Sequence, residues 1–125
     1  MAKLGEYGDK IETMTAQEVF DVAATHLLEQ GERSKDDSFN CQYDGGSVCC
    51  AAAPFIKNYT SDMENSTYPE VVTGYGQPDT HETLVAQLQI IHDTTEVEEW
   101  KGELLRLAER NKLSPDVLST FPDVS

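Results

Sequence analysis

The stretch from Cys41 to Ile56, CQYDGGSVCCAAAPFI, constrains this chain more than any other. It holds all three cysteines, a strong turn signal and the longest uncharged run, and the segments on either side read as helices with one apolar face each. Such faces need something dry to pack on, and this insert can supply it. Phe39, Cys41 and Tyr43 alternate with period two, Asp44-Gly45-Gly46 accepts positive φ, and Ser47 to Cys50 returns. That pattern predicts a β-hairpin. A lone two-stranded hairpin is marginal in water, so it is expected to lie against the helices. Ala51 to Ile56 then predicts a short buried helical turn, with Pro54 in its first turn where the missing N–H costs nothing.

Helix signals frame this centre. Thr15 and Glu18 form a capping box, with Met14 and Val19 at the staple positions. Val19, Phe20, Ala23, Ala24, Leu27 and Leu28 keep helical spacing until Gly31. Glu32 to Ser38 reads as a charged loop. Lys57 to Asp79 reads as a long connection punctuated by Asn65, Pro69, Gly74, Gly76 and Pro78, tied down by Tyr59, Met63, Tyr68, Val71 and Val72. Asp79 with Glu82 is a second box pattern, opening a helix to about His92 with Leu84, Val85, Leu88 and Ile91 inward. Thr95 with Glu98 is a third, ahead of a face formed by Val97, Trp100, Leu104, Leu107 and Ala108. Acids in the first turn of that helix and Arg106, Arg110 and Lys112 near its end suit the helix dipole. Ser114-Pro115 starts a short terminal helix that Phe121-Pro122 ends.

Residues 1–13 lack periodicity and read as a tail whose Leu4 and Tyr7 can dock on the domain or on a neighbouring chain; residues 14–125 read as one globular domain. The expected fold class is mainly α within α+β: four to five helices packed around a small β-hairpin.

Charge narrows the function classes. The chain has 23 Asp+Glu against 9 Lys+Arg, a net −14. From Asp36 to Trp100 the only Lys or Arg is Lys57, against twelve acids. Phosphate contacts need cations to displace counterions, so nucleic acid and anionic membranes are poor partners. The excess is either a solvated surface or an acidic face for a basic partner. The opening MAKLGEYGDK has no apolar signal-peptide core, and no run approaches the ~20 apolar residues of a membrane span. With an odd number of cysteines, the expectation is a cytoplasmic protein with free thiols.

The groups able to carry chemistry are few. Cys41, Cys49 and Cys50 with His26 and His92 contain zinc-ligand types, but Cys41 and Cys50 are not spaced as a zinc-binding pair and the histidines fall on separate helices. A thiol nucleophile would need a base, which His26 or His92 could be, and an electropositive setting that this acidic chain is short of. His26 sits at the edge of a buried helix face, and His92 closes a helix where an imidazolium favours the last carbonyls. Glu64, placed near the hairpin by the Tyr59-to-Met63 spacing, is a general-base or helix-cap candidate. The weak catalytic candidates are therefore Cys41, Cys50, His26, His92 and Glu64, with no cofactor and no metal expected.

One resemblance is carried by motif order. His26-Leu27-Leu28-Glu29-Gln30-Gly31-Glu32-Arg33-Ser34, Cys41-Gln42-Tyr43, Cys50-Ala51-Ala52-Ala53-Pro54-Phe55-Ile56, Tyr59 with Met63-Glu64, Leu88-Gln89-Ile90-Ile91-His92-Asp93 and Trp100 to Leu113 follow one another. This order resembles a set of small uncharacterised proteins of tailed phages and bacteria, over roughly residues 15–113. Asp44 stands where that set is expected to have a basic residue, Ala53-Pro54 where it has Gly-Ala, and Asn65 where it has Gly. The resemblance implies a phage or mobile-element origin and brings no activity. The functional expectation is a non-enzymatic accessory protein that binds a host or phage protein through an acidic surface. The alternatives are a small-molecule, metal or catalytic site built from the cysteine hairpin with its flanking His and Glu, or a virion structural or assembly component, which leaves homo-oligomers open.

Overall fold

The computed structural model describes residues 4–31, 43, 50–64 and 66–121. Among these, four α-helices form: α1 Ala16–Gln30, α2 Tyr68–Tyr75, α3 Glu82–Thr94 and α4 Trp100–Arg110. Short 3-10 turns at Ile11–Thr13, Ala53–Phe55, Ser61–Met63, Val97–Glu99 and Asp116–Thr120 connect and flank them. Helix α3 packs against α1, α2 and α4, while α1 also meets α4 and the Asp116–Thr120 turn.

The expected hairpin at the centre is overturned. No strand occurs among the described residues, so the fold is all-α there and not α+β. Cys41, Cys49 and most of the expected hairpin arms, like the Glu32 to Ser38 loop and Asn65, lie outside the described residues. The one hairpin residue described before Cys50, Tyr43, donates its N–H to the Glu64 carboxylate at 2.8 Å and not to a cross-strand carbonyl. The dry insert between the helices is instead Cys50 to Ile56, all seven residues buried. Its alanines leave no side chain to hold a ladder apart, and Pro54 lacks a donor and favours the 3-10 turn found at Ala53–Phe55.

That insert takes its backbone partners from elsewhere in the chain. Gly5 N–H donates to Ala53 O at 2.9 Å and Tyr7 N–H to Pro54 O at 2.7 Å. A β-carbon on Gly8 would come within 2.9 Å of Ile56 O, so the N-terminal segment can approach this closely only as glycine. Ile11 is completely buried and Tyr7 lies beside Phe55, ring centroids 6.2 Å apart. Leu4 and Tyr7 thus dock on the insert. Ala52 N–H donates to the Gln89 side chain of α3 at 3.0 Å.

Helix α1 forms as its pattern predicts. The Thr15–Glu18 capping box is complete, and Gly31 closes the helix at φ 67°. Two other starts differ from expectation. Asp79 does not cap α3; the cap position is His81, in left-handed backbone at φ 60°. Thr95 and Glu98 do not form a box either, because a 3-10 turn at Val97–Glu99 delays the helix to Trp100. The third difference is α2, within the stretch read as a loop. Thr67 and Glu70 form a full capping box, Pro69 sits in the first turn and Gly76 closes at φ 65°.

Candidate functional site

The sequence places Tyr43, Glu64 and His92 far apart, and the fold draws them into one polar group beside Cys50. Glu64 accepts from Tyr43 N–H and, through its other oxygen, from the Tyr59 hydroxyl at 2.5 Å. It is the cap of no α-helix among the described residues; it ties the segment after the Ser61–Met63 turn to Tyr43. The Tyr43 hydroxyl donates to Ser66 O at 2.5 Å. Burial first, and then the charges of Cys50, Asp93, Glu64 and Tyr68, hold the Tyr43 hydroxyl far above its ordinary range. Tyr43 therefore stays a neutral donor.

The α3 side of the group is built on helical spacing. Gln89 and Asp93 are one turn apart, and the Gln89 amide donates to Asp93 Oδ1 at 2.7 Å while its oxygen receives Ala52 N–H. The same Asp93 oxygen lies 2.7 Å from His92 Nδ1. A carboxylate can only accept, so Nδ1 carries the proton. The His92 ring is fully buried and stacks on Trp100 at 5.7 Å, whose indole N–H donates to Thr95 O at 3.0 Å. His92 is thus a packed, oriented ring beneath α4. Tyr68 is buried on α2, and its hydroxyl finds no hydrogen-bond partner among the described residues. Burial, with Glu82 adding, pushes it up to about 12.

Cys50, Glu64 and His92 are thus placed around Tyr43 and Asp93, whereas His26 lies elsewhere and Cys41 is outside the described residues. An imidazole oriented by a carboxylate is half of a nucleophilic site. The other half, a thiolate, is favoured by nearby cations, and the charged groups that act on Tyr43 together with Cys50 are the carboxylates of Asp93 and Glu64. No set of three or more His, Cys, Asp or Glu among the described residues is placed to hold a metal ion. Asp93, Tyr43 and Gln89 were absent from the sequence candidates. The Gln89-to-Asp93 spacing was a usable signal for that pair, and nothing local marked Tyr43.

His26 is buried on α1 and borders an open hollow of about 360 Å³ with Glu6, Tyr7, Asp21, Thr25 and Glu29. Three carboxylates and no Lys or Arg stand among these lining residues. Tyr7 lines it too, its hydroxyl raised by burial, then by the charge of Glu6 and by its bond to Glu6. An adjoining hollow is lined by Tyr7, Lys10, Met14, Glu18, Asp21 and Val22, and Lys10 Nζ stands 5.4 Å over the Tyr7 ring. This edge of α1 already accommodates a cation on an aromatic face.

A second hollow, about 460 Å³, runs between α4 and the Asp116–Thr120 turn. Neither this groove nor the α1 hollow is lined by Cys50, Glu64 or His92. No helix among the described residues is long and apolar enough to cross a membrane. No protein-family model matches the chain, and no curated protein or solved structure matches it.

Proposed function

We propose that this protein is a non-enzymatic binding module that engages a basic protein partner, of host or phage origin, through its acidic surface. The observation that carries the reading is the α1 hollow, which Glu6, Asp21 and Glu29 line with Tyr7 and which has no Lys or Arg among its described lining residues. The net charge of −14 supports it by steering cationic partners from a distance. Immobilised protein is expected to capture basic proteins from a lysate at low salt and to release them as salt rises. Neutralising the hollow together, with Glu6→Gln, Asp21→Asn and Glu29→Gln, is expected to empty the capture set of its basic members. An unchanged set, as identified by mass spectrometry, would sink the reading.

A second reading, a ligand or metal site, is favoured by one observation: Cys50, Glu64 and Asp93 all lie close enough to Tyr43 to raise its hydroxyl. Metal analysis and thiol titration of the purified native protein test it. Stoichiometric zinc, or one rapidly reacting thiol lost in Cys50→Ser, would put it first.

A further inference from the structure

We propose that residues 4–11 are a strap that two copies of this chain exchange, each strap docking on the other copy's Ala53–Ile56 insert once the His81 contact that holds it closed is released. The inference goes beyond the acidic-surface reading and does not depend on it. The fold itself shows what covers the insert. Gly5 and Tyr7 donate their N–H groups to the consecutive carbonyls of Ala53 and Pro54. A β-carbon on Gly8 would come within 2.9 Å of Ile56 O, and Ile11 is completely buried. An occupant must therefore present two donors two residues apart, a glycine next, and an apolar residue three positions beyond it. The sequence that meets these terms is this chain's own, so a second copy supplies it.

The strap is a unit with a hinge behind it. Gly8 donates to Gly5 O, and Lys10 and Ile11 both donate to Tyr7 O, so these bonds travel with it. Open hollows border it, one shared with α1 and one shared with residues 56–59. Behind the strap, Glu12, Thr13 and Thr15 are exposed, and Met14 and Thr15 have extended backbone. Helix α1 closes its own capping box between Thr15 and Glu18. The hinge can therefore straighten, at the cost of the Ile11–Thr13 turn, without unwinding the helix. A tertiary bond holds it bent: His81, in left-handed backbone at the start of α3, donates its ring N–H to Met14 O at 2.6 Å. A strained residue bonded to a hinge carbonyl acts as a latch.

Exchange conserves the strap's contacts with the insert, so the hinge, the concentration and the charge set the balance. Two copies at −14 each repel one another, and salt screens that repulsion. Salt therefore favours the exchanged dimer, whereas it weakens capture of a basic partner. The two readings fail separately. In the dimer, Glu6 and Tyr7 of one copy line the α1 hollow of the other, so that hollow is built from both chains.

The Asp9–Lys57 ion pair, 3.5 Å apart with both side chains exposed, reports which chain a strap sits on. Full-length protein of natural isotopic composition is mixed with an equal amount of heavy-nitrogen protein, concentrated in high salt and warmed. A carbodiimide then turns the ion pair into an amide, and size exclusion separates dimer from monomer. In the dimer, about half of the Asp9–Lys57 links are expected to join a light chain to a heavy one, as random pairing gives. Links in the monomer are expected to join like isotopes. His81→Ala is expected to lower the dimer dissociation constant about tenfold, because each closed chain loses its latch. A dimer whose links join only like isotopes, or no dimer at about 1 mM protein in high salt, would overturn the exchange. A dissociation constant unchanged by His81→Ala would overturn the latch, and a dimer that weakens as salt rises would overturn the charge argument.

Discussion

The four helices begin in two different ways. Helices α1 and α2 each open on a threonine whose hydroxyl accepts the N–H of a glutamate three residues on, while that glutamate accepts the threonine N–H in return. Helices α3 and α4 make no side-chain cap bond at all. The start of α3 is a strained His81 whose ring nitrogen lies 2.6 Å from Met14 O, 67 residues earlier in the chain. The start of α4 is the Trp100 side chain, bonded to Thr95 and stacked on His92 of α3. The first pair is specified within four residues. The second pair exists only once the chain has folded around it.

The contrast breaks most readily at Trp100. Trp100→Ala removes a fully buried ring, its bond to Thr95 and the wall on which His92 rests. The expected loss is about 3–5 kcal/mol by chemical denaturation. A loss below about 1 kcal/mol would mean that α4 holds its own start.

At His81 the backbone and the side chain can be separated. His81→Ala loses the contact with Met14 and keeps the left-handed strain, whereas His81→Gly loses the contact and relieves the strain. The alanine variant is expected to be the less stable of the two by about 1 kcal/mol. If alanine instead is as stable as the parent, the ring contact contributes nothing and α3 needs no bond to Met14 to begin.

The same contrast explains how much of the fold was legible in the sequence. Buried positions on α1, α3 and α4 followed from periodicity, and Val19, Phe20, Leu84, Leu88, Leu104 and Leu107 are all inside. The α1 ends were legible because cap and stop are local. Helix α2 had the same local signals in Thr67, Glu70 and Gly76, but its eight residues with Pro69 and Gly74 are too few for periodicity to show. The starts of α3 and α4 were misread because Asp79–Glu82 and Thr95–Glu98 match a box whose geometry tertiary contacts displaced. The long-range glutamine bonds were invisible for the same reason. Gln77 grips both backbone groups of Lys57, and Gln17 grips both of Ser114, doing at single residues what a ladder does along a strand. Of the candidate site, single residues such as His92 and Glu64 could be named, but their meeting around Tyr43 could not, since no local spacing encodes it.

The smallest expected effect lies at the locally specified end of the comparison. Glu70 accepts hydrogen bonds from the Thr67 backbone and hydroxyl, and these hold its carboxyl below the ordinary value of about 4.5. A depressed folded-state value means that the charged form is favoured by folding. Its contribution is complete above the ordinary carboxylate range and disappears as pH falls through the folded value. Glu70→Gln keeps an acceptor at the box and removes the charge. The variant is expected to melt slightly below the parent at neutral pH and together with it in strong acid. A gap between the two melting temperatures that stays constant from neutral pH to acid would show that the carboxylate charge adds nothing to the α2 start. The box would then act through its hydrogen bonds alone, and α2 would owe its start, like α3 and α4, to what it packs against.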